Sequence, residues 1–428
     1  LSWGRKLRGE EGSALPLTLL VAVLLLVLGS SLLSAALLER NIARNQLLST
    51  QALYVADSGI EMVLAELQYD EDWLSLFPGL EEGETVVAFA EVPIGRGTLK
   101  EVTLTDRVTT VEVLSEAEVN GITRSVKAQI LKPVFEHGFA GATAGSSGGG
   151  GNELTIRANS YIEGTLVFRH NININTPQAE IHGDVVAGGN IVNKGHITGD
   201  ALAGGAIINS GTIDGDQLPD ADVYLPEIPE VDLDWYESRA DVLFSGDQTW
   251  DIAELQEIID NELNNRQGII YVDGDVTIKN KGEGQEGKEE EEKEKGSDKG
   301  GKDEGEEGDK NESRTNVYRG RVMLVTSRSI EIDGDLLPDS TETSALGLVA
   351  FQDIEVGGNT KITGVFHAGR TFRTSGNAEI TGTIVTDDFI VDGHLNLIYD
   401  ENLVIQLQSF LPGNRFRLVS WQEFSSIL

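Results

Sequence analysis

The chain has 428 residues and carries 70 acidic against 33 basic side chains, a formal net charge of −37. No surplus of Lys and Arg exists to neutralise phosphates, so nucleic acid is not an expected partner. The absence of cysteine excludes disulfides, thiolate metal sites and a Cys nucleophile, and 49 Gly with only 6% aromatic residues suit a β-rich chain with many turns better than a helical enzyme.

From Ser13 to Leu38 there is no charged residue, and most positions are Leu, Val or Ala. As a helix this stretch is roughly 39 Å long, against the ~30 Å of a hydrocarbon core. Arg5, Lys6 and Arg8 precede it, and the positive-inside rule places that end in the cytoplasm and the remainder outside. The apolar run is too long for a cleaved secretory peptide. It continues without a break toward Gln68, with Leu53, Ala56, Ile60, Val63, Leu64 and Leu67 at helical spacing. Pro16 sits in the first turn, where its missing N–H costs little. The pattern predicts one helix, apolar all round in its first half and amphipathic in its second.

The stretch RGEEGSALPLTLLVAVLLLVLG, with Gly12-Ser13 after a basic leader, resembles a type IV prepilin signal. The later stretch LERNIARNQLLSTQALYVADSGIEMVLAEL is similar to the helix of PilX-type minor pilins, the matching positions being Ala56, Asp57, Ser58, Gly59, Ile60 and Glu61. The likeness covers roughly residues 5 to 68. It implies a leader, residues 1–12, removed between Gly12 and Ser13 by prepilin peptidase, and a pilin helix over 13–68. It also implies a single membrane pass, and other pilin subunits and the pilus assembly platform as partners. The glutamate that most pilins carry five residues into the mature helix is Leu17 here, as PilX-type members often lack it.

Between residues 84 and 132 the pattern turns to β. Thr85–Phe89, Val102–Thr105, Thr109–Val113 and Ser125–Ile130 alternate and are rich in β-branched residues, and Asn120-Gly121 marks a hairpin. An antiparallel sheet packed on the amphipathic half of the helix would bury both apolar faces. Gly141–Gly151 then reads as a flexible link.

The segment IHGDVVAGGNIVNKGHITGDALAGGAIINSGTIDGD repeats every 16 residues. Ile181, Ile197 and Ile213 recur at that step, as do Gly183, Gly199 and Gly215, and Asp184, Asp200 and Asp216. A short constant period signals a solenoid, with β-branched residues stacked inside and Gly, Asn and Asp at the corners. Similar units recur around Val272–Val276, Ile332–Leu336, Ile362–Val365 and Ile380–Ile384. The rungs resemble those of bactofilins. The predicted architecture is therefore α+β followed by all-β. A long N-terminal helix with a small antiparallel sheet precedes a short-runged β-helix over 152–216 and 269–400. A Pro-rich and helical insertion occupies 217–268, an acidic loop 280–316 that cannot bury a core is extruded from a rung, and 401–428 is a tail.

No chemistry emerges from the remaining residues. One Asp per repeat is too sparse for a calcium solenoid, so the Gly-Asp corners read as Asp capping its own turn. Asp333 with Asp335, or Asp387 with Asp388, are loose candidates for the acid and base of carbohydrate hydrolysis, and a long acidic chain offers such pairs by chance. His137, His170, His182, His196, His367 and His394 show no metal-binding spacing. The sequence predicts a structural subunit with no cofactor, no metal and no catalytic residue. The alternative is a surface adhesin or carbohydrate-binding or -processing β-helix on a plain anchor, with surface polysaccharide as its ligand.

Overall fold

The computed structural model describes residues 14–69, 76–77, 83–141, 153–156, 159–279, 317–412 and 414–424. The Gly12-Ser13 junction and the acidic loop 280–316 lie outside these residues. The chain divides into two compact units, one of residues 1–107, 111–130 and 418–428, the other of 108–110 and 131–417.

The first unit is built on one helix, α1 (Ala14–Tyr69). Four strands follow: β1 (Thr85–Ile94), β2 (Gly97–Asp106), β3 (Thr110–Val119) and β4 (Ile122–Leu131). Neighbours in this meander are antiparallel through β1, β2 and β3. Asn120 and Gly121 turn β3 into β4 with positive φ at both residues, 50° and 82°, the backbone that a two-residue hairpin requires. The sheet has a fifth strand, Arg417–Phe424, which lies next to β4. The segment 401–428, expected as a tail, instead supplies a helix, Glu401–Leu407, and this closing strand. In chain order the solenoid is thus inserted between the fourth and fifth strands of the small sheet.

The second unit is a three-sided parallel β-solenoid. Its first half stacks rungs along three sides. The first side holds Phe139–Gly141, Leu166–Phe168, Val185–Ala187, Ala201–Ala203 and Gln217–Leu218. The second holds Glu153–Ile156, Asn171–Ile174, Ile191–Asn193 and Ile207–Asn209. The third holds Ser160–Glu163, Glu180–His182, His196–Ile197 and Thr212–Ile213. Ile181 pairs with Ile197, and Ile197 with Ile213, so the 16-residue period is one turn. Phe139–Gly141 and Glu153–Ile156 are both strands of this unit, while most of the glycine-rich stretch expected as a link lies outside the described residues.

The insertion expected over 217–268 is also corrected. Val242–Ser245 and Gln248–Asp251 pair in parallel with the strands around Ile270 and Val276, so a rung begins within it. Its proline-rich part, residues 219–232, runs along the outside of the stack: Val223 and Leu225 pack over Val167 and Val186, and Val231 packs among Val349, Val365 and Val385. This strap and the helix Glu401–Leu407, whose Leu403, Val404 and Leu407 join the same cluster, explain why first-side strands such as Ala345–Ala350 are buried at every position. Both faces are covered, and the sequence is then continuously apolar.

The stacking order is permuted relative to the chain. The second half climbs from Val242 through Ile270, Leu324, Leu348 and Phe366. Its last rung then pairs with the first rung of the first half, Ile384 to Phe139 and Leu397 to Ile162. The polypeptide therefore enters the solenoid in the middle, runs to one end, crosses to the other along the strap, and returns to the middle to leave. Entry and exit are tied together there, with the Phe135 amide donating to Asn414 Oδ1 at 3.3 Å in a buried position.

Two histidines are buried near this middle. Both are fully enclosed: burial, then the charge of Lys132, pushes His137 down to about 3, and burial pushes His367 down to about 4 against a hydrogen bond with the Pro229 backbone. His367 stands edge-on to Phe135, with ring centroids 5.7 Å apart. In the unfolded chain both would titrate near 6.5. The unfolded state then binds more protons between that value and the folded ones, so the histidine contribution to stability is whole above pH ~6.5. It falls by ~1.4 kcal/mol per pH unit for each group as the pH drops. Thermal unfolding of the full chain at pH 7 and pH 4.5, compared with a His137→Gln, His367→Gln variant, should show a steeper acid loss in the natural protein.

Candidate assembly surface and its seat

The two halves of α1 have different surroundings. Every residue from Leu15 to Leu47 is exposed, including a nearly continuous run of Leu and Val up to Leu38. A bare apolar surface of this extent marks a membrane or a protein interface, and the helix is long and apolar enough to cross a bilayer. The second half is seated on the sheet. Ala52, Val55, Ala56, Gly59, Ile60, Val63 and Leu67 are buried, a stripe at the i, i+3, i+4 spacing of one helix face. Leu53 and Leu64, expected on that face, are only half-buried at its margin.

The six-residue motif lies in the middle of this seat, and most of its residues have a definable job. Gly59 lets the helix approach closely: a Cβ there would stand 2.9 Å from both Leu99 Cδ1 and Val102 Cγ2, and nearer still to Ser115 Oγ. That approach brings the Ser115 hydroxyl to within 2.6 Å of the Ala56 carbonyl, to which it donates in a fully buried position. The bond crosses from sheet to helix, and Ser115 is completely buried in β3. Ile60 fills the neighbouring position. Ser58 donates to the Tyr54 carbonyl one turn back, and Glu61 faces solvent.

Asp57 reaches sideways to the closing strand. The Trp421 indole N–H donates to its Oδ1 at 2.9 Å. On the same margin Arg124 of β4 donates to Ser49 Oγ at 2.7 Å and stands 3.9 Å from Glu423. Three elements distant in sequence are thereby latched: the helix, β4 and the C-terminal strand. Hydrogen bonds to a charged acceptor contribute ~1.5–3 kcal/mol when sheltered; at this exposed margin the value falls toward ~1. Replacing Trp421 by Phe should keep the packing and lose the bond. The expected result is a loss of about 1 kcal/mol in the first unit with faster amide exchange in 418–424, and Asp57→Asn should lose less.

Nothing in the sequence pattern pointed to Ser115 or Trp421, because each acts through a partner more than 50 residues away. The small residues Ala52, Ala56 and Gly59 at successive turns are the one signal that would have marked the close approach.

The solenoid corners work differently from the self-capping expected of them. Asp184 Oδ1 accepts the backbone N–H of Asp200 at 2.7 Å, and Asp200 Oδ1 accepts that of Asp216 at 2.7 Å. Asn171 and Asn190 do the same for Asn190 and Ala206, and Asp335 for Lys361. Each corner side chain therefore ties its own rung to the next. Gly183, Gly199 and Gly215 stand directly over Gly164, Gly183 and Gly199, with an added Cβ no more than 2.6 Å from the backbone below. Asn193, fully buried, donates to Asn209 Oδ1 at 3.0 Å.

Asp335 is committed to the rung ladder. Asp387 is raised above the usual carboxylate range by burial, with Arg169 acting in the opposite direction. Among the described residues no group of His, Asp and Glu is arranged to hold a metal ion. His196 pairs with Asp214 at 2.7 Å, and His182 stacks beside Tyr161 at 4.9 Å. Along the third side the outward column reads Asn396, Tyr161, Glu180, His196, Thr212, which is not a ladder of aromatics.

No family model matches this sequence, and no curated protein does. Among solved structures the chain is similar to the competence-associated pilin ComZ of Thermus thermophilus. The two share 13% identity at a TM-score of 0.41, over 88% of this chain and 97% of that one.

Proposed function

We propose that this chain is a membrane-anchored, exported pilin-like structural subunit that displays a β-solenoid outside the cell. The observation that carries the reading is the division of one continuous helix: Leu15–Leu47 is bare, while Ala52–Leu67 is locked to a sheet. A helix built this way moves from a lipid environment to a bundle of similar helices without refolding, since its folded half is braced independently of its exposed half. The mechanism is packing, and no residue is assigned a catalytic role.

In this reading Arg5, Lys6 and Arg8 hold the leader in the cytoplasm, prepilin peptidase cuts between Gly12 and Ser13, and the PilX-type motif Ala56–Glu61 is the seat that keeps the head on its helix. The partners are other pilin subunits and the assembly platform. The inserted solenoid, entered and left at its middle, is a spacer or contact body carried by the pilin head. The alternative of a polysaccharide-binding surface calls for aromatic columns across rungs, which the third side lacks. The test is the N-terminal sequence of the membrane-bound chain from cells with and without prepilin peptidase. A start at Ser13 that disappears in the peptidase mutant supports the reading, and an uncut leader in both removes it.

A further inference from the structure

The two ends of the solenoid are finished differently. At the end that begins with Val242, the interior is filled by Phe244 and Trp250, whose rings meet edge to face at 5.2 Å. The helix Ile252–Glu262 adds Ile252, Leu255 and Ile259 to the same core. This end is closed.

The opposite end stops in mid-rung. Gln217–Leu218 covers the first side only. On the second side Ile207–Asn209 is the edge strand of its sheet, with no further strand of this chain beyond it among the described residues. In the rungs below, the corresponding N–H groups of Ile172 and Ile191 donate to the carbonyls of Asn190 and Ala206 in the rung above. For Ile207 that next rung is missing. Ile191 and Ile197 are fully buried, whereas Ile207 and Ile213, one turn on, are only partly so. The corner ladder from Asp184 through Asp200 ends on Asp216, whose carboxylate is exposed. The stack thus ends with its template showing.

The charge of this end narrows what can continue it. No Lys or Arg occurs between Lys194 and Arg239, and Asp216, Asp220 and Asp222 are exposed at or just beyond the last rung. A second copy docked end to end would bring like charges together. A second copy docked head to tail would bring the same acidic rim against exposed Asp247, Glu254 and Glu257 beside the aromatic pair and the helix. Neither self-association suits the surface.

We propose that the open end receives a rung from another protein: an extended segment bearing Lys or Arg at its corners. It adds to the edge strand Ile207–Asn209 through backbone hydrogen bonds, covers Ile207 and Ile213, and donates an N–H to the Asp216 carboxylate. This is strand addition to a sheet edge, with specificity set by the acidic rim. The acidic rim meanwhile discourages indiscriminate edge pairing while the partner is absent.

The probe is a photo-crosslinking amino acid placed at Ile208 of the full chain in its native cells, with the same residue at Leu243 of the closed end as reference. Both positions are well exposed, 57% and 60%. The proposal predicts a crosslink from Ile208, and not from Leu243, to a different protein at a segment carrying Lys or Arg. The yield should fall at least tenfold in Asp216→Lys. It should also fall in Asp222→Lys, whose carboxylate holds no rung, while Glu257→Lys on the closing helix leaves it unchanged. A crosslink chiefly to a second copy of this chain overturns the proposal. So does a product indifferent to charge reversal, or the absence of any product from a chain that is exported and protease-resistant. None of these outcomes depends on cleavage at Gly12-Ser13, so this test and that of the pilin reading fail separately.

Discussion

Gly59→Leu should release α1 from its sheet. The space is already occupied: even the first added carbon meets Leu99 and Val102 at 2.9 Å and Ser115 more closely still, and three further carbons have nowhere to go. Ser115 cannot yield without giving up its bond to the Ala56 carbonyl, which leaves a buried hydroxyl unpaired. Overpacking of a tight contact costs ~1–3 kcal/mol, and an unsatisfied buried polar group adds ~1–3 kcal/mol. The expected result is loss of the first unit's cooperative unfolding transition while the solenoid's persists, read by amide exchange in β2 and β3. Gly59→Ala should fall between, because only the first carbon is added. If Gly59→Leu unfolded no differently from the natural protein, the close seat of the helix would be wrong.

Gly382→Val should break the solenoid where its two halves meet. Gly382 has φ near +135°, in a region that side chains disfavour, and an added Cβ would collide with the carbonyl of Gly364 on the rung beneath. The carbonyl belongs to backbone and cannot swing aside. The rung above is the one whose Ile384 amide donates to the Gly138 carbonyl and whose residues pair with Phe139–Gly141. Separating these rungs disconnects the second half from the first, so exposure of Phe139, Phe372 and Phe389, which pack together there, should accompany it. The expected cost exceeds ~3 kcal/mol, from φ strain of ~1–3 kcal/mol and the lost stacking of buried aromatics. Proteolysis at the middle of the solenoid, before either end opens, is the readout. Gly246→Ala, at a positive φ of 82° with no neighbour within 4 Å, should cost less, because it carries backbone strain without the collision.

How much of this was legible in the sequence depends on what kind of contact each feature rests on. The solenoid was readable from Ile181, Ile197 and Ile213 because inward stacking forces the same residue type at the same step. The first half of α1 was readable because no charge interrupts it. The order of the rungs was not readable. Rungs of one width stack on any neighbour, so no single residue announces that Ile384 lies beside Phe139 rather than at an end. The rung at Val242–Asp251 was hidden by Pro219, Pro226 and Pro229 before it and by a helix where its third strand would be. The closing strand Arg417–Phe424 was hidden because nearly all of its described residues stay exposed at the sheet margin, where alternation is weak. The site divides in the same way. Ala56, Gly59 and Ile60 could be found from spacing and resemblance, but Asp57 could not be given its role without Trp421, which is 364 residues away.

The most direct test of the structural-subunit account is to shear surface filaments from cells and ask by mass spectrometry whether they contain this chain. The account predicts its solenoid peptides in the filament fraction together with a mature N-terminus at Ser13, and their loss from that fraction when Leu26 in the exposed half of α1 is replaced by Glu. If the chain stays in the membrane fraction while filaments of normal composition assemble without it, the chain is an anchored solenoid and not a pilin-like subunit.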